Sequence, residues 1–246
     1  MNTAPPPPQK VEWRKAWRAL QTLIDAPQRT DQVFELIRAL AGQSGERLYR
    51  RFSSRPEGRR LLETRPDLLV TLSDREGLTS LPAGSFGRAY AEFMEEGRLR
   101  AQGLLEAADA VRQPEDLELD ADRRWFYDRL RDMHDLWHVL TGYGRDVAGE
   151  AANLAFTHAQ TRNRGIGAIV VAAALLGPKT LDCHWQRYLL RCWWRGRRAT
   201  PLVLARYEEL LPQPLDQVRR ELGIEPPETA HPGGVLVFEG EPSAAT

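Results

Sequence analysis

Apolar residues recur every three or four positions along most of this chain, which is the spacing of a buried helical face. The pattern begins between Val11 and Asp25 and resumes from Thr30, a candidate N-cap, until Gly42. No stretch alternates apolar and polar residues for long, as a half-buried strand would. The sequence therefore predicts an all-α fold: a single domain of many helices.

The segment L-P-A-G-S-F-G-R-A-Y-A-E-F-M-E-E-G predicts a helix capped by Ser85 and ended by Gly97. One face of this helix is aromatic and carries Phe86, Tyr90 and Phe93. Core packing is one interpretation of that face. A binding surface is the other, because the Tyr90 hydroxyl is polar and able to reach a site.

The central helix is predicted to start at Asp120, its N-cap, and to contain H-D-L-W-H. An apolar stripe runs along it, and at about 100° per residue His134 and His138 lie at the edge of that stripe, with Asp135 further round. Two glycines then interrupt the helix. The stripe consists of Phe126, Leu130, Met133, Trp137 and Leu140.

Glu150 follows the glycine bend, on a second helix that Asp146 is expected to cap. It shares a face with apolar residues, where an unpaired carboxylate would cost several kcal/mol. Histidines four positions apart on a helix point two imidazoles at one ion, and a carboxylate completes a site for zinc, manganese or iron(II). The sequence thus predicts a metal site between two helices.

Other interpretations of this stretch stay open from the residues alone. The histidines could be core residues bonded to backbone, with the carboxylates paired to nearby arginines. The spacing also matches the H-E-x-x-H motif of zinc proteases, although Asp135 is shorter than the glutamate that serves there as base. His158, two turns beyond Glu150, is a candidate further ligand.

The last third of the chain contains an alanine-rich apolar helix over Ile166–Leu176 and then an arginine- and tryptophan-rich helix. The alanines would allow close packing or leave room for a chain-like ligand. The arginines would form either a solvated face or a surface for anionic lipid headgroups. That second helix places Arg187, Arg191, Arg195 and Arg198 on one face, beside Trp193 and Trp194.

Composition and charge limit the partners and the cellular location that we expect for the protein. The 246 residues carry 34 basic and 34 acidic side chains, so nucleic acid is not expected as a partner. Cys183 and Cys192 are expected to be buried thiols. The longest apolar run is short of the ~20 residues that a membrane span needs. We expect a protein that is cytoplasmic or peripheral to a membrane.

The domain organisation follows from the same pattern. Residues 1–9 form a proline-rich segment that we expect to be a disordered N-terminal arm. Residues 10–226 form the predicted helical domain, and 227–246 a C-terminal tail in which 235–238 could be extended.

The motifs together resemble the coenzyme Q (ubiquinone) biosynthesis protein 4 family. H-D-x-x-H, eleven residues and a glutamate match its signature at His134, Asp135, His138 and Glu150. The earlier L-P-A-G-S-F-G-R-A-Y segment is similar to a second family segment, and Gly149, Glu150, Phe156 and Gln160 match a third.

The resemblance implies that the four signature residues hold a divalent metal, usually taken as zinc, and that they are catalytic. It implies a hydrophobic groove for a polyprenylated aromatic substrate, with Phe86, Tyr90 and Phe93 as its expected binding residues. The implied activity is the C1 step of ubiquinone biosynthesis, in which the carboxyl of a polyprenylated hydroxybenzoate is lost and a hydroxyl takes its place. The enzyme would thus be a metal-dependent decarboxylase, a lyase.

The resemblance leaves one serious alternative, a non-catalytic prenyl-lipid-binding scaffold for the other quinone-biosynthesis enzymes. It also implies contact with a quinone-containing membrane. The N-terminus lacks the features of a mitochondrial presequence, so we expect a bacterial member, peripheral to the inner membrane on its cytoplasmic side. A homodimer is one candidate assembly, and the sequence does not decide it.

Overall fold

The computed structural model describes residues 10–25, 29–97, 101, 103, 119–177 and 182–237. These residues are mainly helical and form no β-strand; one isolated bridge joins Ser85 and Pro214. The predicted all-α fold is therefore confirmed. In chain order the helices are α1 Trp13–Asp25, α2 Thr30–Ala41, α3 Ser44–Ser53, α4 Pro56–Thr64, α5 Leu68–Ser73, α6 Arg75–Ser80, α7 Phe86–Glu96, α8 Ala121–Asp132, α9 His134–Thr141, α10 Val147–Thr161, α11 Arg164–Leu176, α12 Asp182–Arg198, α13 Tyr207–Leu210, α14 Leu215–Glu221 and α15 Pro227–Ala230.

Side-chain caps fix the start of the helices that carry the motifs. Ser85 accepts a hydrogen bond from the backbone N–H of Arg88, and Asp120 caps α8 in the same way. Asp146 accepts from two N–H groups at the start of α10. These three predictions are confirmed. The cap prediction for Thr30 is wrong, because Thr30 is already helical and Arg29 occupies the cap position without a side-chain cap bond.

The contacts of the chain separate into two compact units, and each is assembled from segments far apart in the sequence. The first contains residues 46–141 and 199–224. Its core includes the Phe52–Phe126 ring pair, with centroids 4.8 Å apart. A 2.8 Å hydrogen bond from Trp137 Nε1 to the Tyr207 hydroxyl joins α9 to the later segment.

The second unit contains the described residues of 8–45, 142–198 and 225–246. Helices α10, α11 and α12 pack together in it, and α11 also packs on α2. Small residues allow close approach, because a Cβ atom on Gly196 would lie 2.6 Å from the Phe156 carbonyl oxygen. This unit thus brings helix backbones close enough to leave little room for side chains between them.

Two sequence expectations concern the ends of the chain. The arm over residues 1–9 lies outside the described residues, as does Phe238 at the end of the expected extended piece. The segment predicted to start a tail contains α15, followed by His231, which is only 3% exposed. None of the helices formed by the described residues is long and apolar enough to cross a membrane.

Candidate metal centre

The central helix is divided at Met133, so that α8 ends just before it and α9 begins at His134. A hydrogen bond of 3.1 Å from the Trp137 N–H to the Met133 carbonyl keeps the two pieces nearly continuous. The apolar stripe predicted from the sequence is buried at Phe126, Met133, Trp137 and Leu140, each at most 2% exposed. The stripe anchors the helix face beside which both histidines lie.

His134 and His138 lie side by side, one turn apart on α9. Their ring centroids are 4.9 Å apart, with the rings edge to face. His138 is 1% exposed and stacks on Phe93 of α7 at 5.6 Å, whereas His134 is half-buried. One imidazole is therefore sealed in the protein, and the other is accessible to solvent.

Asp135 contacts the imidazole of its neighbour. Its Oδ1 lies 3.1 Å from Nδ1 of His134. A carboxylate accepts from an Nδ1–H group, and that tautomer leaves the lone pair on Nε2. The contact therefore orients His134 with Nε2 as its ligand atom, the arrangement common among metal-bound histidines.

The position of Glu150 is fixed by a tight turn before α10. Gly142 has φ +72°, a left-handed conformation that favours glycine. Gly149 packs against the same turn, since a Cβ atom there would lie 2.1 Å from the Gly144 carbonyl oxygen. The capping carboxylate of Asp146 also holds this first helical turn. The glycines of the motif are thus required by backbone geometry.

His134, His138 and Glu150 form a cluster that could hold a metal ion. Each offers one ligand atom, and these three atoms all lie within 4.8 Å of one another. Ligands on a tetrahedral ion at about 2.1 Å stand roughly 3.4 Å apart, which is within that limit. Two imidazoles and a carboxylate suit zinc, manganese or iron(II). The donor set therefore fits the predicted metal.

The other predicted ligands are placed differently. Asp135 lies beside the cluster and contacts His134, as described above. His158 is not among the three clustered residues, and its Nδ1 lies 2.9 Å from the carbonyl oxygen of Asn163, just after α10. The bond to a backbone carbonyl gives His158 a structural role.

The aromatic face of α7 divides between core and cluster. Phe86 and Tyr90 are at most 2% exposed, and Phe86 packs against Tyr207 with ring centroids 6.4 Å apart. Burial, followed by the negative charge of Asp135, raises the pKa of the Tyr90 hydroxyl above its ordinary value. Phe93 is half-buried and covers His138.

One polar residue near the cluster was missed in the sequence. Asn153 on α10 is 0% exposed, and neither atom of its side-chain amide has a hydrogen-bond partner within the described part of the chain. It lies one turn beyond Glu150 on the same helix. The signal was available as a single polar residue in the apolar run A-A-N-L-A-F.

The arginine face of α12 is not continuous. Arg187, Arg191 and Arg198 are exposed, but Arg195 is 4% exposed and donates from Nε to the Glu225 carbonyl oxygen at 2.8 Å. The expectation that all four arginines face solvent or lipid is therefore wrong for Arg195. Cys192 is buried as predicted, and burial raises its pKa to about 12, which keeps it a thiol. The Cys183 side chain lies outside the described residues.

Comparison with known proteins identifies relatives over most of the chain. The family model for the Coenzyme Q (ubiquinone) biosynthesis protein Coq4 matches residues 13–228. The mitochondrial ubiquinone biosynthesis protein COQ4 homolog of Bos taurus is 32% identical over 207 residues, 82% of this chain and 74% of its own. The corresponding Danio rerio protein is 33% identical over 206 residues, 82% of this chain and 72% of its own.

The fold is also found among solved structures. An example is the crystal structure of a Nostoc punctiforme protein that is provisionally named a ubiquinone biosynthesis protein. The two structures align with a TM-score of 0.64 over 88% of this chain and 100% of the other, at 22% identity. At that identity the likeness concerns the fold alone.

Proposed function

The chain belongs to the Coenzyme Q (ubiquinone) biosynthesis protein Coq4 family, and from this membership we propose that it catalyses the C1 step of the pathway. In that step a polyprenylated 4-hydroxybenzoate loses its carboxyl group and gains a hydroxyl at the same ring carbon. The observation that carries the proposal is the cluster of His134, His138 and Glu150. A scaffold could also hold a structural metal ion, so the proposal depends on whether these ligands are needed for turnover.

The cluster is proposed to bind one divalent ion, zinc in the first instance, with manganese or iron as alternatives. When bound, such an ion supplies Lewis acidity toward a carboxylate or phenolate oxygen. Asp135 would act by holding the ring of His134, and the turn at Gly149 would hold Glu150. Asp135 and Gly149 are each adjacent in the sequence to the ligand that they would position.

Two aromatic residues of α7 support a substrate site beside the ligands. Phe93 covers one face of His138 and would exclude water there. Tyr90 is protonated at neutral pH, as tyrosines ordinarily are, so its hydroxyl can donate to a substrate oxygen. Phe86 would support this face from the core.

The reaction also needs an electron acceptor. Replacing the carboxyl by hydroxyl breaks the bond from ring carbon to carboxyl, releases carbon dioxide and removes two electrons from the substrate. With the hydroxyl oxygen from water, dioxygen would take these two electrons and two protons and leave as hydrogen peroxide. We propose dioxygen as the acceptor, acting directly or at a redox-active ion. The sequence carries no flavin or nicotinamide motif that would supply another.

The polyprenyl chain is proposed to lie on α11. Three apolar side chains of this helix are more than half exposed: Val171, Leu175 and Leu176. An apolar ligand, or the surface of a quinone-containing membrane, would remove them from water. We therefore propose peripheral attachment, on the cytoplasmic side of the inner membrane if the source is a bacterium. Other quinone-biosynthesis enzymes are the proposed partners there.

The same exposed residues favour a second candidate function, a non-catalytic scaffold that binds prenyl lipids and partner enzymes. Both candidates use an apolar surface. They differ in whether the metal ligands are needed for turnover.

The test compares wild type with His138→Ala and Glu150→Gln, and uses His184→Ala as a control because His184 is exposed and outside the cluster. Metal content is measured by elemental mass spectrometry, and turnover of a short-chain prenylated hydroxybenzoate with and without dioxygen. We expect about one equivalent of metal in wild type and control, and loss of both metal and turnover in the folded ligand variants.

Two results would contradict the proposed activity. Metal that stays bound in both ligand variants would exclude the cluster as the site. If wild type shows no turnover and the two metal-ligand variants still bind lipid, the scaffold function would be favoured.

A further inference from the structure

A pocket in the second unit lies between α12 and the segment that follows residue 224. Its volume is about 440 Å³. Its lining is mainly basic on the α12 side, and a short turn of chain forms the opposite wall. The lining residues are Arg191, Trp194, Arg195, Arg198, Glu225, Thr229, Ala230 and Pro232.

Three arginines of this pocket lie on one face of α12, at positions 191, 195 and 198. The middle one has a structural role. Arg195 is buried, its guanidinium lies over the Tyr143 ring at 5.2 Å, and it donates to the Glu225 carbonyl oxygen. It thereby ties the opposite wall of the pocket to the helix. The outer two, Arg191 and Arg198, are exposed at the pocket mouth.

The charge balance of the pocket is positive. Three guanidiniums face one carboxylate, that of Glu225, which leaves a formal charge of about +2. The arginines also affect the neighbouring His231. Burial, followed by the positive charges of Arg195 and Arg191, lowers the pKa of its imidazole to about 4. A concave surface with more guanidiniums than carboxylates attracts anions, and arginine matches phosphate oxygens with paired N–H donors.

Polar and apolar groups beside the arginines favour a phosphate ester over a simple ion. Thr229 adds a hydroxyl, and Ala230 and Pro232 add apolar surface. Trp194 is 50% exposed at the same place, where an indole ring can lie against the non-phosphate part of a ligand. We propose that this pocket binds a phosphate group, with Arg191 and Arg198 as its ligands and Arg195 as a positioning residue.

The source of the phosphate is either a phospholipid headgroup or a soluble phosphate. Inorganic phosphate by titration calorimetry tests the soluble source. Co-flotation with vesicles of phosphatidylglycerol and phosphatidylcholine, compared with phosphatidylcholine alone, tests the lipid source. The full-length chain is used throughout.

The pocket variant is Arg191→Gln with Arg198→Gln. Its control is Arg187→Gln with Arg197→Gln, which removes the same charge from the same helix outside the pocket lining. All four side chains are exposed, so the fold should be kept. We expect binding of the responding probe to fall at least about tenfold more in the pocket variant than in the control.

A second variant is expected to bind the probe more tightly, so that the test does not depend only on a loss of binding. Glu225→Gln removes the one carboxylate in the lining and keeps the backbone carbonyl that Arg195 contacts, so it should bind the same probe about threefold more tightly. A response to inorganic phosphate supports a soluble ligand, and a response to vesicles alone supports a lipid headgroup. Equal losses in pocket variant and control, or no binding of either probe by wild type, would overturn the proposal.

Discussion

Oδ1 of Asp135 lies 3.1 Å from Nδ1 of His134, so that adjacent residues of the motif form a carboxylate–histidine pair. The pair fixes which ring nitrogen of His134 faces away from the carboxylate. It also explains why an acidic residue next to the first histidine serves the site without joining the three clustered ligands. Removing the charge should therefore weaken metal binding without abolishing it.

Asp135→Asn is expected to lower metal affinity by about 10- to 100-fold, the usual effect of losing a carboxylate that supports a histidine ligand. The affinity is measured by competition with a chromophoric chelator. Asp216→Asn, the same change at an exposed carboxylate of α14, serves as the control and should bind as wild type does. An unchanged affinity for Asp135→Asn would show that the pair does not support a ligand.

Gly149→Ala should reduce metal binding without changing a ligand residue. A methyl group at this position meets the Gly144 carbonyl oxygen at 2.1 Å, so the turn or the start of α10 must shift and Glu150 with it. We expect a loss of about 1–3 kcal/mol in unfolding free energy, and a reduced metal content. Urea denaturation and elemental analysis measure the two effects.

Gly233→Ala is the matched control for that change. A Cβ atom at Gly233 meets nothing within 4 Å. Full metal content in Gly149→Ala, at wild-type stability, would mean that the turn adjusts freely and does not position Glu150.

Asn153→Leu is expected to stabilise the protein. The buried amide has no partner in the described part of the chain, and each unsatisfied polar group costs about 1–3 kcal/mol. Leucine has a similar volume, so the midpoint of urea unfolding should rise. If the amide serves a bound ligand near Glu150, turnover falls in the same variant. A drop in stability would instead show that a buried water satisfies the amide.

Stability should fall as the pH is lowered from 7 to 5, because of His231. The folded pKa of about 4 is below the ordinary 6.5, so between these values the unfolded chain binds a proton that the folded protein excludes. The contribution is up to about 2 kcal/mol over this range. Groups close to the imidazole are Tyr143, Tyr188, Cys192, Arg191 and Arg195.

Urea unfolding of wild type and His231→Gln at both pH values checks this prediction. We expect the variant to be less stable than wild type at pH 7, and its stability to change less between the two pH values. A pH dependence identical in both proteins would assign the effect to other groups.

Local signals in the sequence were enough for the helical fold and for bringing together three of the four predicted ligands, His134, His138 and Glu150. Side-chain caps such as Ser85 and Asp146 act within three residues, and the histidine pair follows from helical periodicity. What failed depends on distant contacts. Arg195 is buried because a carbonyl 30 residues later accepts its hydrogen bonds, and no local pattern contains that information.

The division of the central helix at Met133 could not be predicted from the spacing of apolar residues either. The apolar stripe continues across it, since a single αR residue between α8 and α9 hardly changes the direction of the side chains. Asn153 could not be singled out from the sequence for a different reason. The side-chain amide of a buried asparagine usually has hydrogen-bond partners, and the sequence does not show whether it does here. Only the three-dimensional structure shows that its amide is buried and unpartnered.

The interleaving of segments in the two units affects how the protein is made. Because the first unit needs residues 199–224 and the second needs those after 224, neither can be completed before residue 224 has left the ribosome. Trp137 is synthesised some seventy residues before its hydrogen-bond partner Tyr207. A premature stop before residue 199 would therefore leave both units unfinished, and no shortened product is expected to retain one intact half.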